Sequence, residues 1–193
     1  MKTDIILAGV GGQGILSIAA TLGAAALNEN LYLKQAETHG MSQRGGAVVS
    51  HLRISDSDIW SDLIPEGNAD LILSVEPMES LRYLPYLAPG GSIVTNIEEF
   101  KNIPNYPELE EEFQSLSKKI NVLRIDADKI AKEVGNPKAS NMVMLGAASP
   151  FIDIDEEIII KGIQTIFANK GEEIIQSNIK AFTAGKMFAV SKI

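Results

Sequence analysis

Apolar positions along this 193-residue chain recur at two spacings: short unbroken runs, as in buried strands, and steps of three or four residues, as in amphipathic helices. Thr3 to Ala8 predicts a buried strand, and Gln13 to Asn28 predicts a helix with Ile15, Ile18 and Leu22 on one face. Leu31 to Gln35 predicts a second strand. Ala47 to Ile54 alternates, with Val48, Leu52 and Ile54 on one side and His51 and Arg53 on the other, the pattern of a half-exposed strand. No helix precedes it, so antiparallel pairing and a mixed sheet are expected. Leu71 to Val75 predicts another buried strand, followed by a helix from Pro77 to about Leu84, with proline in its first turn. Pro89-Gly90-Gly91 predicts a turn into a strand over Ser92 to Asn96. Leu109, Phe113 and Leu116 return to helical spacing after Pro107, and Asn121 to Asp126 predicts a short strand. The last third is helical: Ser140 to Ala148; Asp155 to Ala168, striped by Ile159, Ile163, Ile166 and Phe167; and Glu172 to Lys192, with Ile175, Ile179 and Phe182.

Strands alternating with helices predict an α/β fold of three layers, with a mostly parallel, mixed central sheet and a helical C-terminal third. Residues 1–193 suit one domain, and 45% hydrophobic content suits a packed core rather than disorder. The uncharged stretch Ile5 to Leu27 has the length of a membrane span, but its glycines and Gln13 favour a buried strand and helix. Nothing before the first strand reads as a secretory signal, so a cytoplasmic location is expected, with no membrane association. A net charge of −8 and the lack of any Lys/Arg cluster argue against nucleic-acid binding. The chain has no cysteine, which excludes thiolate-ligated iron–sulfur clusters, disulfides and cysteine nucleophiles on this chain.

Two segments carry candidate chemistry. Gly9-Val10-Gly11-Gly12-Gln13-Gly14 lies between the first strand and the first helix, where backbone N–H groups and a positive helix end converge on one point. Such a turn can cradle a phosphate, and it equally serves a helix packed tightly on a strand with no ligand between them. Glu37-Thr38-His39-Gly40-Met41-Ser42-Gln43-Arg44-Gly45-Gly46 joins two strands and is too polar and long for a simple hairpin. It would emerge at the same carboxyl edge as the first loop, the edge at which open α/β sheets bind ligands. The bland alternative is that Gly45 and Gly46 only permit a tight turn. Glu37 is read as a loop carboxylate paired with Arg44. Asn141 either lines the glycine loop or occupies an ordinary position at a helix start. Met142 and Met144 read as core residues.

The Rossmann-like pattern and the two segments together resemble the gamma-type domain of 2-oxoacid:ferredoxin oxidoreductases. The matching residues are Ile6 to Gly14, Thr38 to Gly46, Asn141-Met142 and Leu145-Gly146-Ala147. His39-Gly40 and Ser42-Gln43-Arg44-Gly45-Gly46 stand where pyruvate-type members carry Tyr-Gly and Glu-Met-Arg-Gly-Gly, so the resemblance is to the arylpyruvate, or indolepyruvate, branch. It covers essentially the whole chain. It implies CoA-acylating oxidative decarboxylation of an aryl 2-oxoacid, with coenzyme A as co-substrate and reduced ferredoxin as product. Thiamine diphosphate and the iron–sulfur clusters are expected on a large partner subunit, with ferredoxin met through the complex. This chain is then expected to be inactive alone and to supply no catalytic or metal-binding residue.

The implied ligand residues are Gly9, Gly11, Gly12, Gln13, Gly14, His39, Gln43, Arg44, Gly45, Gly46 and Asn141. Gln13 would cap a phosphate oxygen, and Arg44 would give a charge-assisted bond to a phosphate or carboxylate or dock the partner. Two other readings compete with this one: a stand-alone nicotinamide- or flavin-binding oxidoreductase, suggested by the glycine pattern and Glu37, and a purely structural docking subunit.

Overall fold

The computed structural model of the chain describes residues 1–39, 45–101 and 103–193, with His39 described by its backbone. Six strands form one sheet: β1 (Lys2–Val10), β2 (Tyr32–His39), β3 (Ala47–Ser55), β4 (Ala69–Ser74), β5 (Leu87–Asn96) and β6 (Asn121–Ile125). Their order across the sheet is β2-β3-β1-β4-β5-β6. β3 runs antiparallel to both β2 and β1, whereas β1, β4, β5 and β6 are parallel. The sheet is therefore mixed, as the missing helix before β3 predicts.

Strand alternation sends side chains to two unequal layers. On the first face Ile5, Leu7, Leu52, Ile54, Leu71, Leu73 and Val94 pack against α1 (Ile15–Asn28), α5 (Ser140–Ala148), α6 (Glu156–Phe167) and α7 (Glu172–Val190). On the second, Ile6, Ala8, Ile72 and Ile93 are covered by Ile64 and by Tyr83, Leu84 and Tyr86, which follow α2 (Pro77–Arg82). Thus the chain leaves β1 toward one face and β4 toward the other. These adjacent parallel strands form the topological switch point of the sheet, where a crevice opens at their carboxyl ends.

Glycine sets the closest helix approaches. A Cβ on Gly146 of α5 would stand 1.8 Å from the carbonyl oxygen of Phe182, and one on Gly185 of α7 would stand 2.0 Å from that of Val143. Similarly, Gly162 of α6 faces the Thr21 carbonyl of α1, 2.5 Å from its Cβ position. These contacts pack the helices of the last third on one another and on α1.

Glu37 to His39 belong to strand β2 rather than to the loop that follows it, and four further points differ from expectation. Ala47 to Ile54 is not half exposed: His51 is buried, because residues 56–68 fold over that face. The Ile64 N–H donates to His51 Nδ1 at 3.1 Å, and Arg53 Nη1 donates to the Ser61 and Leu63 carbonyls. Pro89-Gly90-Gly91 lies inside β5, where the register with β4 shifts between Ala69 and Leu71, rather than in a turn before it. α4 (Ala127–Glu133) was not predicted; Asp126 caps it by accepting the Lys129 N–H. Ile166 stays 38% exposed, so the α6 stripe is only partly interior. Among the described residues no helix is long and apolar enough to cross a membrane; Ile5 to Leu27 divides between β1 and α1.

Candidate functional site

Both glycine segments meet at one edge of the sheet. The pairs Val10↔Ala47 and His39↔Val48 bring the carboxyl ends of β1 and β2 to the amino end of β3. Gly11 N–H donates to the Gly46 carbonyl at 2.9 Å, tying the first loop directly to the end of the second. Gly45 takes a positive φ of 80°. Gln43 and Arg44, with the pairing expected between Arg44 and Glu37, lie outside the described residues, as does the side chain of His39. Glu37 Oε2 accepts a long 3.4 Å bond from Gln35.

The glycines of the first loop have different tasks. A Cβ on Gly9 would lie 2.3 Å from Val75 Cγ2 and 2.9 Å from Ile15 Cδ1, so glycine here lets β4 and α1 close on β1. Val75 N–H bonds the Ala8 carbonyl at 3.0 Å and continues the parallel pairing past the strand end. Gly14, at φ 83°, is the N-cap of α1, and a Cβ on it would meet Asn141 Nδ2 at 2.7 Å. Gly12 is different. It has φ 99°, is exposed, and nothing lies within 4 Å of its Cβ position. Packing accounts for Gly9 and Gly14, but not for Gly12.

Gln13 turns inward. Its Oε1 accepts the Val10 N–H at 2.8 Å and closes the loop, a bond worth about 1 kcal/mol net, and helix α1 begins two residues later. Asn141 does both things expected of it: it lies in the first turn of α5 and its Nδ2 reaches the Gly14 carbonyl at 3.4 Å. α1 has no acidic residue in its first turn and no side-chain cap, so its own residues leave the positive end of the helix, equivalent to about half a charge, unopposed.

The edge also carries residues that sequence spacing did not single out. Glu76 follows β4 and is buried; Oε2 accepts Glu79 N–H, while Oε1 accepts Phe100 N–H and the Tyr106 hydroxyl. Burial, and then the bond to Glu76, push the Tyr106 hydroxyl far above its ordinary range. The Phe100 ring reaches Gly45, with Cε1 3.8 Å from the Cβ position there. The available signal was an acid directly after a buried strand and before Pro77, at the edge to which the glycines point.

With this geometry in view, the comparisons are decisive on family. Residues 4–188 match the model of the pyruvate ferredoxin/flavodoxin oxidoreductase family. The chain belongs to this family. As a member of the pyruvate ferredoxin/flavodoxin oxidoreductase family it is a subunit of an oxidoreductase complex. Within the family it is similar to indolepyruvate oxidoreductase subunit IorB of Pyrococcus horikoshii, 38% identical over 192 residues, covering 94% of this chain and 93% of the relative. The fold is that of a 2-oxoglutarate:ferredoxin oxidoreductase from Magnetococcus marinus solved with 2-oxoglutarate, coenzyme A and succinyl-CoA bound, at TM-score 0.80 and 24% identity. That alignment covers 98% of this chain but 31% of the other, which is much longer. A keto/oxoacid ferredoxin oxidoreductase gamma subunit from Geobacter sulfurreducens aligns over 98% of this chain and 99% of its own, at TM-score 0.72 and 22% identity.

Proposed function

We propose that this chain is the cluster-free subunit of an indolepyruvate-type 2-oxoacid:ferredoxin oxidoreductase, acting as one unit over residues 1–193. Its role is to hold the phosphate end of coenzyme A at the carboxyl edge of the sheet. Thiamine diphosphate, the iron–sulfur clusters and the contact with ferredoxin belong to a large partner subunit; with no cysteine, this chain has no thiolate to offer a cluster.

The observation that carries the reading is Gly12. It is an open, positive-φ glycine at an uncapped helix start, placed beside the Gly11–Gly46 bond at the switch point of the sheet. A backbone so arranged presents N–H groups and a positive helix end to an anion with no side chain in the way. Gly9, Gly14, Gln13 and Asn141 build the loop. Gly11, Gly45 and Gly46 join it to the second segment, whose His39, Gln43 and Arg44 complete the ligand set in this proposal. The coenzyme A bound by the Magnetococcus relative, which shares this fold, supports the choice of ligand.

The test is calorimetric titration of coenzyme A into the reconstituted heterocomplex and into its Gly12→Val form, with the KM for coenzyme A measured on both. A valine here strains the backbone and fills the open space, so the KM is expected to rise about tenfold or more. Unchanged binding and KM would show that these loops only pack, the docking-subunit reading.

A further inference from the structure

Glu76 caps a helix, but capping alone does not require glutamate. N-caps are typically Ser, Thr, Asp or Asn, whose short side chains reach the N–H two or three residues on. Glu76 meets that demand with one oxygen, accepting Glu79 N–H at 2.9 Å, and uses its extra methylene to carry the other elsewhere. Oε1 accepts Phe100 N–H at 3.3 Å and the Tyr106 hydroxyl, two points of the chain between β5 and α3 (Glu110–Leu116). A carboxylate only 1% exposed needs such donors, since each lone pair left unmet in the interior is costly. Tyr106 remains protonated at any physiological pH and is a constant donor. Lys101, which stands over the Tyr106 ring, is paired with Glu99 at 3.0 Å.

What this arrangement holds in place is Phe100. Its backbone is bonded to Glu76, its ring edge lies against Gly45, and it is nevertheless 42% exposed at the carboxyl edge. A half-open phenyl ring beside Gly45, whose neighbour Gly46 accepts the Gly11 N–H of the glycine loop, offers a flat apolar face on the segment joined to the phosphate cradle, the combination that a nucleotide-bearing ligand needs.

We infer that Glu76 is a positioning residue for the ligand site: through Phe100 N–H and the Tyr106 hydroxyl it sets Phe100 as an aromatic wall beside Gly45, for the adenine end of coenzyme A. The inference rests on the coenzyme A reading above and goes one step further, to what the heterocycle meets. Phe100 touches the ligand; Glu76 and Tyr106 act through it.

The experiment uses the reconstituted heterocomplex carrying Tyr106→Phe, Phe100→Ala or Phe100→Trp. Tyr106→Phe removes one hydroxyl and leaves the α2 cap intact, so it avoids the folding defect that Glu76→Gln risks. Amide hydrogen exchange at Phe100 is expected to be about tenfold faster in Tyr106→Phe. Tyr106→Phe and Phe100→Ala are expected to raise the KM for coenzyme A about five- to tenfold, in line with the loss of one base–aromatic stack, and to lower kcat far less. Phe100→Trp is expected to restore the KM. Phe100 exchange that is indifferent to Tyr106→Phe overturns the role of Glu76. The two proposals fail separately: an unchanged KM in Gly12→Val overturns the cradle, whereas a raised KM there with an unchanged KM in Phe100→Ala overturns the wall.

Discussion

Asn141, in the first turn of α5, fills the space beside Gly14: a Cβ on that glycine would stand 2.7 Å from its Nδ2. The side chain of a residue far along the sequence thus limits what the glycine loop can be. Gly14→Ala should lose stability on two counts, the positive φ of 83° and this clash, the first worth about 1–3 kcal/mol. Asn141→Ala removes the obstacle, so the double variant should be less destabilised than the sum of the single ones. Urea unfolding of all four forms gives the coupling, and strict additivity would mean that the two residues do not meet.

The α5–α7 contact predicts a steeper loss. A Cβ on Gly146 or Gly185 would run into backbone carbonyls at 1.8 and 2.0 Å, and backbone cannot move aside as a side chain can. Gly146→Ala or Gly185→Ala should cost on the order of 3 kcal/mol or more, at the upper end of overpacking penalties. Gly135→Ala is the control: it has a positive φ of 88° and open space, so only the backbone strain of about 1–3 kcal/mol remains, without the clash. Equal shifts in the unfolding midpoint for Gly146→Ala and Gly135→Ala would contradict the close approach.

His51 makes stability depend on pH. Burial lowers its pKa below the ordinary value, which is about 6.5 in an unfolded chain. Between the folded and the unfolded pKa the unfolded state holds a proton that the folded state lacks. The contribution is therefore complete above about pH 6.5 and is lost as the pH falls below it. Protonation would also cost Nδ1 its bond from the Ile64 N–H and disturb the edge-on contact with the Tyr86 ring at 5.4 Å. Unfolding free energies from pH 8 to pH 5 should fall more steeply for the wild type than for His51→Gln. Parallel curves would remove His51 from the account.

The fold was legible where one spacing dominated. β1, α1 and the last three helices follow from their apolar periodicity alone, and the mixed sheet follows from the missing helix before Ala47. The burial of His51 was not legible, because alternation shows which residues share a face and not what covers that face; residues 56–68 have no periodicity of their own. At the site, the meeting of the two glycine loops was readable from sheet topology. The division of labour among the glycines was not, since it depends on Val75, Ile15 and Asn141 approaching from elsewhere. Glu76 escaped because a lone carboxylate acquires meaning only from its donors, and Phe100 and Tyr106 lie more than twenty residues downstream.

Partly buried Arg53 pairs with buried Asp4, with Nε to Oδ1 at 2.8 Å and Nη2 to Oδ2 at 3.0 Å. Arg53→Met should cost about 1–3 kcal/mol, because it takes two hydrogen bonds from a carboxylate that is 1% exposed, with Lys2 still beside it. Adding Asp4→Asn should recover part of the loss in thermal unfolding. If it does not, the cost lies in the bonds from Arg53 to the Ser61 and Leu63 carbonyls.

The reversed direction of β3 has a consequence for how such a subunit diversifies. Its register with β1 and β2 is locked, since a slip of one residue would turn Leu52 and Ile54 from the helix-covered face to the other. Variation among such subunits is therefore expected to spare β3 itself, and the rung that carries Val10 and Ala47 stays where it is.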